Sequence, residues 1–126
     1  MALRAVAHRR QARARRQQAL ADAFCKAAAK QQAVELGNAG IRVNCIAPGP
    51  VDTEMAKLVH SVAIRSDYYD AIPLNRYGTP EEIAQGVGFL CSAAASFING
   101  QVLAVDGGFD ASGVGLPTLR RQPGAD

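Results

Sequence analysis

Between Val43 and Met55 the chain reads VNCIAPGPVDTEM. A short apolar strand runs into Pro-Gly-Pro and then into an acid-bearing helix start. A backbone exposed at such a point can grip a ligand that carries an amide or a phosphate. The same residues also suit a plain strand-to-helix turn of an α/β protein. Other reactive side chains are scattered. His8 and His60 have no carboxylate or cysteine at ligand spacing, and both read as surface residues. No Ser/His/Asp or Cys/His arrangement occurs. Cys25, Cys45 and Cys91 are odd in number, widely spaced and never in a CxxC pair. That argues against a disulfide framework or a zinc site, and for a reducing, cytoplasmic setting.

The elements that would hold the Pro-Gly-Pro turn follow from local pattern. At 126 residues there is room for one domain, and a hydrophobic fraction of 48% suits a globular chain. From Ala19 to Leu36 helix formers dominate, with Leu20, Phe24, Ala27, Ala28 and Val34 as an imperfect apolar stripe. Gly37 and the NAG that follows end that helix. IRVNCIA (41–47) is rich in β-branched residues and predicts a strand. Residues 52 to 70 predict a weak, mobile helix interrupted by His60, Ser61 and Ser66. GTPEEIA places Thr79 at an N-cap, Pro80 at the first helical position and Glu82 three after the cap, a capping box. The helix behind it runs to about Ala95, with Ile83, Val87, Leu90, Cys91 and Ala94 on one face. Gly86 and Gly88 inside it imply a close neighbour, since each costs about 1 kcal/mol relative to Ala. QVLAVDGG (101–108) is a second buried strand that ends in glycines. Helical connections between two strands predict parallel pairing and an α/β layered fold, although two parallel strands are too few for a complete sheet.

The net charge of +3 is uneven. Residues 1–18 carry six arginines and no acid, whereas the remainder has eight basic against eleven acidic residues. The basic leader could contact nucleic acid or act as a targeting presequence. It lacks interleaved aromatics and any nucleic-acid-binding motif, so it is read as a disordered leader with no nucleic-acid partner. No apolar run reaches the roughly 18 residues of a membrane span, and no membrane partner is expected.

From about Ala33 to Gly108, four stretches occur in order: AVELG, GIRVNCIAPGPVDTEM, IPLNRYGTPEEIA and FLCSAAASFINGQVLAVDGG. Together they resemble the C-terminal segment of the short-chain dehydrogenases/reductases. The text is most similar to sugar or polyol dehydrogenases and 3-oxoacyl carrier-protein reductases. The resemblance implies a partial Rossmann-like, doubly wound parallel α/β fold, here with two parallel strands and three to four helices. It implies NAD or NADP as cofactor and hydride transfer between an alcohol and a carbonyl. It places Pro48, Gly49, Val51 and Thr53 against the nicotinamide: Pro48 and Gly49 shape the turn, Val51 backbone groups meet the carboxamide, and the Thr53 hydroxyl adds a hydrogen bond. It makes Met55, Leu58 and Val59 lining residues of a substrate lid. Asn44 and Asp106 are read as structural, and Tyr68, Tyr69 and Tyr77 as packing or substrate-side residues.

Departures from the family pattern limit that implication. None of the twelve glycines forms G-x-x-x-G-x-G or G-x-G-x-x-G. The family's catalytic serine lies upstream of anything present. Its Tyr-x-x-x-Lys pair, counted back from Ala33, falls on Gln18 and Asp22. No catalytic residue is therefore assigned, and the chain alone is expected to be inactive. The organisation read from sequence is a leader (1–18), the family's C-terminal segment (19–110) and an extended tail (111–126). A truncated or frameshifted gene would account for the leader. The expected partners are another copy or a related family subunit. A non-enzymatic interaction or oligomerisation module is the alternative reading, with nucleic-acid binding through the basic arm a weaker third.

Overall fold

A computed structural model describes residues 23–111. The leader 1–18, the positions Gln18 and Asp22, and the tail beyond Ala111 lie outside the described residues. The described residues contain helix α1 (23–37), strand β1 (Cys45–Pro48), helices α2 (Glu54–Val59), α3 (Val62–Ala71) and α4 (Pro80–Cys91), a 3-10 turn (Ala93–Ala95) and strand β2 (Val102–Val105). β1 and β2 form a two-stranded sheet. Cys45 N–H donates to the Gln101 carbonyl at 2.8 Å and Gly49 N–H to the Val105 carbonyl at 3.0 Å, a constant offset of 56 residues. The pairing is parallel, with helices in the connection, as the pattern predicts. The described residues fall into two compact units, 23–45 with 97–102 and 46–96 with 103–111.

In the first unit two asparagine amides take the place of a longer ladder. Val43 N–H donates to the Asn99 side-chain oxygen (2.8 Å), and Asn99 donates in turn to the Ala33 carbonyl (3.2 Å). Asn44 donates to the Ile98 carbonyl (2.9 Å) and accepts from Gln101 N–H (3.0 Å). Because side chains satisfy these backbone groups, the strand starts at Cys45 and not at Ile41. Asn44 supports the strand, as expected. The apolar stripe read on α1 is corrected. Ala29 and Ala33 are buried, whereas Phe24 and Val34 are 74% and 79% exposed. The reason is close approach: a Cβ at Gly100, which has φ +70°, would lie 3.2 Å from the Ala33 Cβ. Only small residues fit on that helix face.

In the second unit the weak helix expected over 52–70 is interrupted at His60 and Ser61, as read, and forms two helices. His60 is extended (φ −97°, ψ 108°), and the Ser61 hydroxyl accepts from Ile64 N–H to start α3 afresh. Ser66, by contrast, interrupts nothing. The capping box of α4 forms as read: Glu82 N–H donates to the Thr79 hydroxyl (3.2 Å) and Thr79 N–H to the Glu82 carboxylate (2.8 Å). The Arg76 guanidinium adds a two-pronged contact to Glu82 at 2.8 and 2.6 Å. α4 ends at Cys91, where Ser92 donates to the Phe89 carbonyl, and the 3-10 turn buries Ala95. Its apolar face is narrower than expected, with Leu90 buried and Val87, Cys91 and Ala94 exposed. A Cβ at Gly86 would come within 3.0 Å of Val105, so that glycine has the close neighbour its cost implies. Gly88 has none within 4 Å, which corrects that expectation. β2 stops at Val105 because the Asp106 carboxylate accepts from Gly108 and Asp110 N–H while Gly107 and Gly108 turn at positive φ.

Gly49 is the tightest point. A Cβ there would lie 2.6 Å from the Asp106 Cα and 2.7 Å from its Cβ. Those are backbone-anchored atoms that cannot swing aside, so Gly49→Ala must push β1 and β2 apart. Overpacking of this kind costs about 1–3 kcal/mol, and a lowered urea midpoint at matched protein concentration is the expected result. A second expectation concerns acid. Hydrogen bonds from Arg76, and then from the Thr79 amide, hold the Glu82 carboxyl at about 2, below its ordinary 4.5. A carboxylate lowered on folding stabilises the fold above about 4.5, and that contribution is lost as pH falls through about 2. Thermal melts over that window should therefore show a steeper loss for the wild type than for Glu82→Gln, which keeps a cap-competent amide.

Candidate functional site

The loop from Pro48 to Thr53 leaves the end of β1 and is pinned on both sides. On one side Gly49 is bonded to Val105 and pressed against Asp106. On the other, Val51 forms a parallel bridge with Gly78: Gly78 N–H donates to the Pro50 carbonyl (3.0 Å) and Asp52 N–H to the Gly78 carbonyl (2.9 Å). Thr53 N–H folds back onto the Val51 carbonyl (2.9 Å). The Thr53 hydroxyl oxygen then caps α2 by accepting from Ala56 N–H (3.2 Å). A hydroxyl has one proton and two lone pairs, so this bond leaves the Thr53 proton free to donate. Among the described residues the Val51 N–H has no acceptor. The loop thus presents two donors on a fixed backbone, with Pro48 and Thr53 exposed and Gly49, Val51 and Asp52 half-buried.

The structure brings Pro48, Gly49, Val51 and Thr53 together on one loop. Met55, Leu58 and Val59 follow on α2, 73%, 86% and 62% exposed. None of these seven lines the one described cleft in this unit, about 490 Å³ between Leu74, Arg76, Glu82, Ile83, Val105 and Gly107. There the Arg76 and Glu82 charges are spent on each other.

A cluster behind the loop was not legible in the sequence. Asp52 accepts from Arg65 of α3 at 3.0 Å, and the Arg65 guanidinium lies 4.5 Å over the Tyr77 ring. Hydrogen bonds to Tyr69 and Asp52 push Arg65 further above its ordinary value. Tyr77 is 5% exposed and packs with Ala56, Ile72 and Tyr68. Burial raises its phenol, and its place in that cluster makes it a packing residue. His60 is half-buried, not a surface residue. Its Nδ1 shares a hydrogen bond with the Tyr77 hydroxyl at 2.9 Å, and its ring stacks on Tyr68. A separation of 17 residues with no periodicity hides that pair from sequence reading. Among the described residues no group of three or more His, Cys, Asp or Glu could hold a metal, and no helix is long and apolar enough to cross a membrane.

Comparison with known proteins places this geometry. Residues 2–110 match the family model described as enoyl-(acyl carrier protein) reductase, a span that takes in nearly all of the arginine-rich leader. Over 85 residues the chain is 51% identical to the 3-oxoacyl-[acyl-carrier-protein] reductase of Chlamydia muridarum, covering 68% of this chain and 32% of that protein. The chain therefore spans about a third of the length of the curated relatives it matches. Among solved structures it is similar to a gluconate 5-dehydrogenase from Burkholderia cenocepacia in complex with NADP and tartrate. That match has a TM-score of 0.64 and 34% identity, over 68% of this chain and 34% of the other. A short chain dehydrogenase family protein from Francisella tularensis gives a TM-score of 0.64 and 33% identity, over 73% of this chain and 42% of the other. With a partial α/β fold, its parallel strand pair and a family match over most of its length, the chain belongs to the short-chain dehydrogenase/reductase family.

Proposed function

We propose that this chain carries the nicotinamide-facing loop and the substrate lid of a cytoplasmic NAD(P)-dependent oxidoreductase that interconverts an alcohol and a carbonyl, and that by itself it does not turn over. The observation that carries the reading is the pinned Pro48–Thr53 loop, with its Val51 N–H and Thr53 hydroxyl proton uncommitted. A carboxamide oxygen requires donors of this kind, and two donors on a rigid backbone lose little entropy in meeting it. Bound NAD or NADP supplies the hydride acceptor or donor. Val51 and Thr53 orient its nicotinamide end, Pro48 and Gly49 hold the turn, and Met55, Leu58 and Val59 of α2 offer an apolar surface to the substrate. The proton-handling half of the reaction has no residue here, since none of Tyr68, Tyr69 and Tyr77 is followed by lysine four positions on.

The isolated chain should show no NAD(P)-dependent oxidation of sugars, polyols or secondary alcohols above a protein-free control. A chimera in which residues 33–108 replace the matching segment of the chlamydial reductase should turn over. Within it, Thr53→Ala should raise the cofactor KM by about 2- to 10-fold, the worth of one hydrogen bond. Turnover by the isolated chain that vanished on Thr53→Ala would overturn the reading, as would a chimera indifferent to that substitution.

Exposed apolar surface favours the partner half of the proposal. Among the described residues sixteen large apolar side chains are exposed, Phe97 and Leu58 among them, whereas the buried core has seven members, four of them alanine. So little burial leaves the backbone ordering cost, roughly 1–2 kcal/mol per residue, largely unmatched. Self-association or binding to a related family subunit follows. Size-exclusion chromatography with light scattering at low micromolar concentration should show species larger than a monomer, and a monodisperse monomer with a cooperative melt would refute it.

A further inference from the structure

Helix α2 is held by its ends and by a single small side chain, Ala56, on its face. It has six residues and buries only Ala56, while Met55, Leu58 and Val59 stand in solvent. A helix that short is not stable on its own. At its N-terminal end Thr53 caps it, and Asp52, one residue earlier, is tied to Arg65 of α3. At its C-terminal end the whole attachment runs through His60. The His60 backbone N–H closes the last turn on the Ala56 carbonyl at 2.9 Å, and its Nδ1 meets the Tyr77 hydroxyl at 2.9 Å.

Tyr77 is a fixed post. Arg65 covers one face of its ring, Tyr68 and Tyr69 meet it edge-on with centroids 5.6 Å away, and its chain neighbour Gly78 is bridged to Val51. His60 lies in the two-residue break between α2 and α3, with its ring stacked on Tyr68. We propose that the His60–Tyr77 hydrogen bond is a latch that positions α2, with His60 as a positioning residue for the segment taken above as the substrate lid. Its role in substrate handling rests on that reading, but its existence does not. When the bond breaks, only the His60 stack on Tyr68 holds the C-terminal end of α2, and the helix frays from that end towards the Thr53 cap while the Tyr77 core and the Asp52–Arg65 pair remain in place.

Hydrogen exchange in the full chain tests this at one protein concentration. The probes are the Lys57 and His60 amides, bonded to the Thr53 and Ala56 carbonyls, with the Ile83 amide of α4 as internal reference. Tyr77→Phe removes the hydroxyl and keeps the ring. It should speed exchange at the α2 probes by about 2- to 10-fold, the net worth of a single hydrogen bond, without changing Ile83. His60→Ala should do at least as much. Tyr77→Phe added to His60→Ala should add nothing further, because the two partners share one interaction. His60→Asn, whose side-chain amide reaches the Nδ1 position, should recover part of the protection lost in His60→Ala. Equal acceleration at α2 and at Ile83, or no effect of Tyr77→Phe, would overturn the latch. In the chimera, a substrate KM unmoved by Tyr77→Phe alongside faster α2 exchange would uphold the latch and remove the lid reading.

Discussion

The contact between Gly49 and the Asp106 backbone is the constraint on which the second unit is arranged. With 2.6 Å between the Asp106 Cα and any Cβ at position 49, the two strand ends meet closely only because one of them has no side chain. The Gly49–Val105 hydrogen bond depends on that closeness. The chain on either side then inherits the placement. Pro50 to Asp52 are set down beside Gly78, and the glycine pair after Asp106 turns away past Ile72, Leu74 and Pro73. A loop fixed in this way can offer an N–H and a hydroxyl to a ligand with little reorganisation.

Rigid and weakly held parts alternate along the second unit. The loop is tied by backbone bonds on both sides and α4 by its cap and by the Arg76 fork. Between them α2 contributes one small side chain to the core. The contrast bears on motion, since segments that move are drawn from the regions with least burial. Family membership accounts for the fold of this chain.

Much of this was legible in the residues because its causes are local. The Thr79–Glu82 box, the parallel pairing implied by helical connections, the loop after β1 and the role of Asn44 all follow from short-range chemistry. What could not be read depended on distant partners. The stripe read on α1, with Phe24, Ala27, Ala28 and Val34 in it, misses the buried face, because the approach of Gly100 and Asn99 sets that face at Ala29 and Ala33. Gly88 carries the same propensity cost as Gly86 and has no neighbour to justify it. His60 reads as isolated because it stands in a break between helices, so no single helical or strand period joins it to its partners Tyr68 and Tyr77.

The Arg76 fork also bears on the order in which the chain assembles. Its two bonds to Glu82, and those between Glu82 and Thr79, join residues no more than six positions apart. The amide contacts of the first unit instead close a gap of 56 residues, from Val43 to Asn99. Entropy of loop closure grows with the logarithm of length, so the longer closure costs about 2 kcal/mol more. The start of α4 can thus organise while the strands are still apart. Arg76 and Glu82 also precede Asn99 and β2 in the chain, so the sheet can close last onto a helix whose first turn is already set.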